Sequence, residues 1–364
     1  MIEEKIKAIE EEIRKTPYNK ATEHHIGILK AKLARLREEA QKKGAKGRIG
    51  GYAVRKTGDA TVVFVGFPSV GKSTLLNKLT NADSPVAEYD FTTLTVIPGM
   101  MEHRGGKIQI LDVPGLIRGA SSGRGRGKEV LSVIRSADLI LLLIDVFNLQ
   151  QLEVLEKELY DAGIRLDGRQ PDVKIIKKAQ GGISISSTIE LTKLNEATIK
   201  AVLNEYKIHN ADVVIREDIA LEQLLDVVAG NRLHLPSITI LNKIDLVNKE
   251  YLREVQNQLK KEYMPVSADK GTNLERLRDI IFEKLDFIRT YLRPQGGTAD
   301  ISEPMILRRG STVGSACDKI HSDLKRNFRY AQVWGKSAKF NGQKVGLEHV
   351  LEDEDALTIA TRKL

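Results

Sequence analysis

The sequence predicts an α/β protein that is built on a parallel β-sheet, with smaller elements before and after the sheet region in the chain. From Thr61 onward, short β-branched runs alternate with helical stretches. Two amphipathic stretches precede this region, and a strand-rich module with one helix follows it. Continuous apolar strands separated by helices are typical of a parallel sheet that is covered on both faces. The 364 residues are enough for two or three domains of about 150 residues each.

Residues 1–58 are predicted to form a helical hairpin followed by a basic strap. Two apolar stripes recur at helical spacing and Pro17 separates them, which favours two antiparallel helices. The stripes consist of Ile2, Ile6, Ile9 and Ile13, and of Ile26, Leu29, Leu33 and Leu36. Residues 42–56 contain six basic residues, four glycines and no acidic residue. This strap is either a solvated linker or a contact for the phosphates of a nucleic acid.

Residues 59–164 and 231–288 are predicted to form the central α/β domain. Its strands cover residues 61–65, 108–112, 139–146 and 237–241. About 90 residues separate the last two strands, although one crossover helix needs roughly a third of that. Residues 165–230 are therefore predicted to be a small inserted α+β domain. Its strands lie at 173–178, 182–187 and 211–215, and its helices at 195–206 and 218–228.

Residues 289–364 are predicted to form a β-grasp domain. Short strands and turns flank a single helical stretch, residues 312–328. A central helix among strands in so short a module is typical of the β-grasp fold. The acidic run of residues 352–355 is interpreted as a solvated turn.

The composition excludes several classes of protein. A single cysteine, Cys317, excludes an intrachain disulfide and a cysteine-built zinc site, and we expect it to be a small packing residue. The longest apolar run, residues 139–144, is far shorter than the roughly 18 residues of a membrane span. Glu3 and Glu4 argue against a signal sequence at the start. We therefore expect a cytoplasmic protein that does not bind a membrane.

The net charge is unevenly distributed along the chain. Lys and Arg number 57 against 49 Asp and Glu, which gives a formal charge of +8, and the excess lies at the two ends. The middle of the chain is slightly acidic. Basic ends indicate contact with a polyanion, although charge that serves only solubility explains the balance equally well.

The strongest chemical signal is a glycine-rich loop between a strand and a helix. Its residues are Gly66, Phe67, Pro68, Ser69, Val70, Gly71, Lys72, Ser73 and Thr74. A loop in this context curls its backbone N–H groups around a β-phosphate. Lys72 is expected to reach the β- and γ-phosphates, and the Ser73 hydroxyl to ligate magnesium.

Further motifs end predicted strands in the order that a GTP-binding domain requires. Asp112 is expected to hold a magnesium-bound water, and the Gly115 N–H to sense the γ-phosphate. A second group consists of Asn242, Lys243 and Asp245, followed by Ser267 and Ala268. Asp245 is expected to accept two hydrogen bonds that guanine donates and adenine cannot, while the backbone at 267–268 contacts guanine O6. These motifs predict a P-loop GTPase domain.

The segment between the first two motifs supplies the candidate switch residues. A threonine here completes the magnesium shell and draws its loop over the γ-phosphate. Among Phe91, Thr92 and Thr93, we choose Thr93, with Thr92 as the alternative. The predicted catalytic residues are Lys72, Thr93 and Gly115, and the predicted magnesium ligands are Ser73, Thr93 and, through water, Asp112.

At these motifs the sequence resembles the Obg-related GTPases and, among them, the developmentally regulated GTP-binding protein family. The resemblance rests on the phosphate loop, on the run Asp90-Phe91-Thr92-Thr93-Leu94 and on the run Asp112-Val113-Pro114-Gly115-Leu116-Ile117. The helical hairpin, the insertion and a C-terminal module similar to a TGS domain complete it. The resemblance therefore covers essentially the whole chain.

This resemblance implies a cytoplasmic GTPase that associates with ribosomes and translation. It also implies a TGS module that contacts RNA and, as in eukaryotic members, a dedicated zinc-finger partner protein. We expect the chain to act as a monomer.

Leu116 stands where many GTPases place a glutamine that orients the attacking water, so we expect slow turnover. Related enzymes compensate with a potassium ion, often held by an asparagine of the phosphate loop. Ser69 occupies that position here and is a weaker ligand, so we expect only moderate stimulation by potassium.

The glycine-rich segment after Leu116 contains three arginines, Arg118, Arg124 and Arg126. They are either solvated charge, contacts for a partner or RNA, or residues that assist in the transition state.

Two functions stay open at this point. The first is a magnesium-dependent enzyme that hydrolyses GTP to GDP and phosphate as a slow nucleotide-dependent switch on ribosomes. The second is mainly an RNA- or ribosome-binding module in which hydrolysis only times release. The basic residues expected to contact RNA are Lys42, Lys43, Lys46 and Arg48, with Lys325, Arg326 and Arg329 near the other end. Phe328, Tyr330 and Trp334 either stack on bases or, as we favour, belong to the β-grasp core.

Overall fold

The computed structural model describes residues 2–17, 22–43, 56–80, 97–113, 127–259, 261–294 and 296–362. The helices are α1 (Ile2–Lys15), α2 (Glu23–Lys43), α3 (Lys72–Leu79), α4 (Gly127–Arg135), α5 (Gln151–Asp161), α6 (Glu196–Glu205), α7 (Leu221–Ala229), α8 (Lys249–Gln258), α9 (Leu274–Lys284), α10 (Val313–Ile320) and α11 (Ser322–Arg326). The first strands are β1 (Ala60–Gly66), β2 (Ile97–His103), β3 (Gly106–Asp112), β4 (Leu139–Asp145), β5 (Ile164–Leu166), β6 (Val173–Lys177), β7 (Ile183–Ser187) and β8 (Ala211–Ile215). The remaining strands are β9 (Leu233–Leu235), β10 (Ser237–Asn242), β11 (Met264–Pro265), β12 (Phe287–Leu292), β13 (Met305–Arg308), β14 (Phe328–Trp334), β15 (Gln343–Val345) and β16 (Asp355–Thr361). Within these residues no helix is long and apolar enough to cross a bilayer.

The chain folds into two compact units, each made of several segments. The first consists of Met1–Gly51, Arg118–Leu131 and Lys157–Leu235. The second consists of Tyr52–Ile117, Ser132–Glu156 and Pro236–Leu364. The N-terminal helices thus share a unit with the predicted insertion, and the phosphate loop shares a unit with the C-terminal strands. The domain boundaries predicted from the sequence stay predictions.

The first unit contains a three-stranded sheet in the order β6-β8-β7. β8 pairs antiparallel with β6 and parallel with β7. Because side chains alternate along a strand, Val213 and Ile215 lie on one face, where they share a buried core with residues of α6 and α7. Ala31 of α2 is fully buried in the same core. A methyl group at Gly27 would lie 3.0 Å from Thr198 Cγ2, so glycine allows α2 to approach α6 closely.

A cluster of charges connects α2 with α7 and the short parallel pair β5 and β9. Arg165 donates to Asp226 through Nε at 2.6 Å and Nη2 at 2.7 Å, and Arg232 Nε donates to the same carboxylate at 3.1 Å. Arg232 Nη2 also donates to Glu38 of α2 at 3.4 Å. These four side chains are between 9% and 13% exposed. Loss of Asp226 would leave the largely buried Arg165 guanidinium without its carboxylate partner, at a cost of about 3–5 kcal/mol.

The second unit contains a six-stranded sheet in the order β11-β10-β4-β1-β3-β2. Its strands are parallel, apart from the edge strand β2, which runs antiparallel to β3. The four strands predicted from the sequence correspond to β1, β3, β4 and β10, and the predicted parallel sheet is confirmed. β1 and β4 are buried along their whole length, as expected for strands covered on both faces. The carboxyl ends of the parallel strands meet at one edge of the sheet.

The C-terminal part of the second unit is the predicted β-grasp domain, a five-stranded sheet in the order β13-β12-β16-β14-β15. β12 and β16 pair in parallel, and the other neighbours pair antiparallel. α10 packs on one face, where Ile288, Val333 and Leu357 form a core with Cys317. Cys317 is fully buried, as predicted for a packing residue, and burial raises the pKa of its thiol.

The single helix predicted over residues 312–328 is wrong, because α10 ends at Ile320 and α11 begins at Ser322. His321 between them has an extended backbone, with φ −166° and ψ 137°. Its Nδ1 accepts a hydrogen bond from the Asp323 N–H at 3.2 Å and so caps the new helix. A histidine cap has no sequence signature as strong as that of proline or glycine.

The acidic run at residues 352–355 is also more than a solvated turn. Asp355 is fully buried, and its carboxylate accepts hydrogen bonds from the N–H groups of Glu352 at 2.8 Å and Ser337 at 3.3 Å. Arg289 Nη2 donates to Asp353 at 2.7 Å, and this hydrogen bond holds the pKa of Asp353 below its usual value. Asp353 therefore connects the acidic run to β12, and Asp355 connects it to the segment that follows β14.

Ion pairs hold the β-grasp domain against the amino edge of the six-stranded sheet. Arg308 of β13 donates to Asp138, just before β4, at 2.5 Å. Lys319 of α10 donates to Asp59, just before β1, at 2.6 Å. Since the phosphate loop follows the other end of β1, the two features lie at opposite ends of that strand.

Candidate functional site

The loop between β1 and α3 has the backbone of a phosphate-binding loop. Ser69 and Gly71 both adopt positive φ angles, 63° and 97°. A methyl group at Gly71 would overlap Asn242 Nδ2, and one at Gly66 would lie 2.5 Å from the carbonyl oxygen of Leu143. Glycine is therefore required at both positions by close approach, and at Gly71 also by φ. Pro68, Ser69, Ser73 and Thr74 form the exposed rim of the loop, whereas Val70 is buried.

The ammonium of Lys72 lies inside this loop. Its Nζ donates to the carbonyl oxygens of Gly66 at 3.1 Å and Phe67 at 2.9 Å, and the residue is 8% exposed. Burial lowers the pKa of Lys72 because it disfavours the charged form, and the nearby Asp112 carboxylate partly opposes this effect. A phosphate in the loop would supply the negative charge that such a buried ammonium favours.

Two oxygen-bearing side chains face each other beside the loop. Ser73, on the first turn of α3, donates its hydroxyl to Asp112 Oδ2 at 2.6 Å, and Asp112 ends β3. Hydroxyl and carboxylate oxygens are ligands of the kind that Mg²⁺ takes beside phosphates. The residues present therefore fit a magnesium ion, and Ser73 and Asp112 are the two that would hold it.

The loop that follows β10 is tied directly to the phosphate loop. Asn242 is 2% exposed, and its Nδ2 donates to the carbonyl of Val70 at 2.9 Å. Its Oδ1 accepts from the Ala268 N–H at 3.0 Å. Lys243, with a positive φ of 65°, donates Nζ to the carbonyl of Ser69 at 2.8 Å. Asn242 and Lys243, both predicted to bind the nucleotide, therefore also hold the loops of the site together through hydrogen bonds inside the protein.

The carboxylate of Asp245 lies in a short 3-10 turn, Ile244–Leu246, and is exposed. Its Oδ1 accepts a hydrogen bond from the Ser267 hydroxyl at 2.5 Å, and Ser267 is fully buried. Ser267 Oγ also accepts from the Lys270 N–H at 3.1 Å. The loops that contain Asp245 and Ala268 are thus held side by side at the carboxyl edge of the sheet.

Three family descriptions match the chain in succession. A 50S ribosome-binding GTPase domain matches residues 61–178, the C-terminal region of that domain matches residues 180–287, and a TGS domain matches residues 288–361. An uncharacterized GTP-binding protein of Methanocaldococcus jannaschii is 63% identical over 365 residues, which cover 100% of this chain and 93% of the relative. The developmentally-regulated G-protein 3 of Arabidopsis thaliana is 47% identical over 99% of both chains. Ribosome-interacting GTPase 1 of Saccharomyces cerevisiae is 46% identical over 98% of both.

This chain belongs to the developmentally regulated GTP-binding protein family. The resemblance inferred from the motifs and the predicted fold class, a P-loop GTPase domain with a C-terminal TGS domain, are confirmed. The chain is accordingly a GTP-binding protein, and the β-grasp sheet described above is its TGS domain.

The site of this GTP-binding protein contains a carboxylate that the motifs did not single out. Asp145 ends β4 directly beside Asn242 and is 6% exposed. It accepts hydrogen bonds from the Phe147 N–H and Asn148 Nδ2, each at 3.0 Å, and from Lys243 Nζ at 3.4 Å. Nearby, the Tyr251 hydroxyl donates to the carbonyl of Val146 at 3.1 Å. The sequence did contain one sign of this role, because Asp145 is an acidic residue that directly follows the wholly apolar run 139–144.

Several predicted residues belong to segments that the structure does not describe. Phe91, Thr92, Thr93 and Gly115 lie outside the described residues, as do Leu116, Arg118, Arg124 and Arg126. The same holds for Lys46 and Arg48 of the basic strap, and the side chains of Lys42 and Lys43 are likewise not described. The predictions made for all of these residues stay predictions.

Replacing Asp145 is predicted to weaken GTP binding. In Asp145→Ala, Lys243 loses a charged partner and the N–H of Phe147 loses its acceptor, so the dissociation constant should rise about tenfold, or about 1.4 kcal/mol. Asp145→Asn keeps an acceptor oxygen and should have a smaller effect. Asp300→Ala, which removes an exposed carboxylate bonded to Ser302, is the control. Titration with a fluorescent GTP analogue measures all three, and an unchanged affinity in Asp145→Ala would contradict this role.

Proposed function

We propose that this protein hydrolyses GTP to GDP and phosphate in a magnesium-dependent reaction, and that it works as a slow switch on ribosomes. The observation that carries the catalytic half is the buried Asn242, which links the phosphate loop to the predicted guanine loop. This arrangement supports a site that holds the base and the phosphates of one nucleotide at the same time.

In this proposal the phosphate loop binds the β- and γ-phosphates. Backbone N–H groups of residues 66–74 surround the β-phosphate, and the Lys72 ammonium neutralises charge on the β- and γ-oxygens. Ser73 and Asp112, the latter through water, would hold Mg²⁺ together with Thr93. When bound, the ion supplies positive charge beside the phosphate oxygens. The Gly115 N–H would respond to the presence of the γ-phosphate.

Guanine selection is proposed for Asp245. Its carboxylate would accept hydrogen bonds from N1 and N2 of guanine, while Ser267 holds the carboxylate in place and backbone groups at 267–268 contact O6. Lys243 would cover the base with its aliphatic stem, since its ammonium is already bonded to Ser69. Adenine lacks the donor pair that this carboxylate requires.

Slow hydrolysis is proposed because Leu116 cannot donate or accept a hydrogen bond with the attacking water. Potassium would then give moderate stimulation, with Ser69 in place of the asparagine that related enzymes use. Ser69 has an exposed side chain and a positive φ, and its carbonyl is occupied by Lys243. The hydroxyl is therefore the ligand that Ser69 would offer.

Replacing Asp245 with asparagine should change the base that the protein selects. An asparagine side chain donates as well as accepts, so it matches the N1–H and O2 of xanthine better than the two donors of guanine. Asp245→Asn should bind GTP at least tenfold more weakly, about 1.4 kcal/mol, and should release phosphate from xanthosine triphosphate. Asp269→Asn, which changes the exposed carboxylate beside Ala268, is the matched control. Unchanged GTP affinity in Asp245→Asn would show that the base is bound elsewhere.

Association with ribosomes is proposed on two grounds. A relative that matches over the whole chain is named for its interaction with ribosomes, and the model matching residues 61–178 is described as ribosome-binding. The positive charge of this chain also lies at its ends rather than in the region of the phosphate loop. We further propose that the protein works in the cytoplasm as a monomer and, like eukaryotic relatives, with a zinc-finger partner.

The basic residues after α10 do not contribute equally to this proposal. Lys325 Nζ is bonded to Asp318 at 2.6 Å, and Arg326 lies 3.8 Å from Asp323. Arg329 is exposed, and its guanidinium lies 5.8 Å from the centre of the Tyr330 ring. A cation already paired with a carboxylate releases fewer counterions when it meets a phosphate, so Arg329 should be the strongest contact of the three.

Salt dependence should therefore distinguish these cations. RNA affinity of the full chain should fall linearly with the logarithm of the salt concentration, and Arg329→Ala should reduce the slope by roughly 0.7–0.9. Lys325→Ala should reduce it less, because Asp318 already neutralises that charge. Lys200→Ala, which removes an exposed lysine of α6 paired with Glu196, is the control. A salt titration with no slope would mean that the basic ends serve solubility only.

A further inference from the structure

The TGS sheet has a second face, opposite to the one covered by α10. Along β14, Ala331 and Val333 belong to the buried core, so the alternating Tyr330, Gln332 and Trp334 lie on the other face. The expectation that Tyr330 and Trp334 belong to the β-grasp core is thus wrong.

Phe328 does pack against the core, although it is two residues from Tyr330. A break in the pairing of β14 with β16 lies between these two residues. This β-bulge turns Phe328 inward and Tyr330 outward, which simple alternation does not allow.

The register places a third ring on the same face. Trp334 pairs with Ala356 of β16, and Ala356 pairs with Tyr291 of β12. Ala356 thus lies between the Trp334 and Tyr291 rings, and Tyr330 pairs with another small residue of β16, Ala360. Tyr291, Tyr330 and Trp334 are all half-buried, so part of each residue is exposed to solvent. We call these three residues the aromatic face.

Cations lie over two of the three rings. The guanidinium of Arg293 is 4.2 Å from the centre of the Trp334 ring, and Lys344 Nζ is 4.8 Å from the centre of the Tyr330 ring. Arg293 Nε also donates to the carbonyl of Gly297 at 2.7 Å, which fixes the guanidinium in place. Gly342 also lies close to the Trp334 ring. A methyl group at Gly342 would lie only 3.3 Å from Trp334 Nε1, so glycine leaves room for the ring. Arg293 and the Trp334 ring are therefore held against each other before any partner binds.

We propose that the aromatic face binds unpaired bases of a single-stranded RNA segment, an inference that rests on the proposed contact with RNA. Aromatic rings and a flat guanidinium bind the faces of bases, and a duplex keeps those faces stacked inside. The positive charges of Arg293, Arg329 and Lys344 would attract the negatively charged phosphates of the RNA segment. At this end of the sheet, Asp353 and Glu354 are bonded to Arg289, and the buried Asp355 accepts hydrogen bonds from the N–H groups of Ser337 and Glu352.

Trp334 itself reports on this face, because it is the one tryptophan of the sequence. The full chain is titrated with a single-stranded oligouridylate and with an RNA duplex that carries the same number of phosphates. The tryptophan emission should be quenched by the single strand and should change little with the duplex. In parallel, the anisotropy of fluorescently labelled RNA measures the affinity for each.

Substitutions at Tyr330 test the stacking itself. Tyr330→Ala should weaken single-strand binding about five- to hundredfold and leave duplex binding almost unchanged, whereas Tyr330→Phe should retain wild-type affinity. Tyr160→Ala is the matched control, since Tyr160 is an exposed tyrosine with an arginine over its ring in the first unit. GTP binding measured on each variant shows that the chain is folded.

Two results would overturn this inference while leaving the proposed RNA contact intact. One is labelled RNA that binds without any change in Trp334 emission, and the other is equal binding of the single strand by Tyr330→Ala and wild type. If neither RNA binds at any salt concentration, the RNA contact itself is wrong and the aromatic face is left with another partner, such as a peptide.

Discussion

The nucleotide site depends on the two hydrogen bonds that the buried side chain of Asn242 makes. One amide connects the carbonyl of Val70 in the phosphate loop with the N–H of Ala268 in the loop that is proposed to contact guanine. Gly71 leaves room for it, and Lys243 adds a second connection to Ser69. A buried donor or acceptor that loses its partner costs about 1–3 kcal/mol, so the two loops cannot separate cheaply. The phosphate loop and the loop after β11 are therefore ordered together, and Asp145 supports this arrangement from the neighbouring strand.

Much of this site was predictable from the sequence because its determinants are local. The phosphate loop needs particular residues at fixed spacing between a strand and a helix, and both elements have strong apolar patterns. The role of Asn242 inside the protein and the contribution of Asp145 are different, since they join residues 172 and 98 positions apart. No spacing rule connects such residues until the order of the strands is known.

The TGS domain illustrates what periodicity cannot predict. Phe328, Tyr330 and Trp334 have the spacing of one strand face, but the bulge after Phe328 divides them between the core and the open side. His321 interrupts a stretch that is otherwise helical in pattern, and Asp355 is buried although its neighbours in sequence are acidic. The side chains of His321 and Asp355 accept hydrogen bonds from backbone N–H groups, and such bonds follow from the fold rather than from periodicity. The open side consequently carries aromatic rings and cations together.

The two parts of the proposed switch lie at opposite ends of β1. The phosphate loop follows the carboxyl end, whereas Lys319 of the TGS domain is bonded to Asp59 before the amino end. The central claim is that the nucleotide controls attachment to ribosomes across this distance. Sedimentation of the full chain with ribosomes, in potassium buffer, tests it most directly. A larger bound fraction with a non-hydrolysable GTP analogue than with GDP is the predicted result, and equal fractions in the two states would contradict the claim.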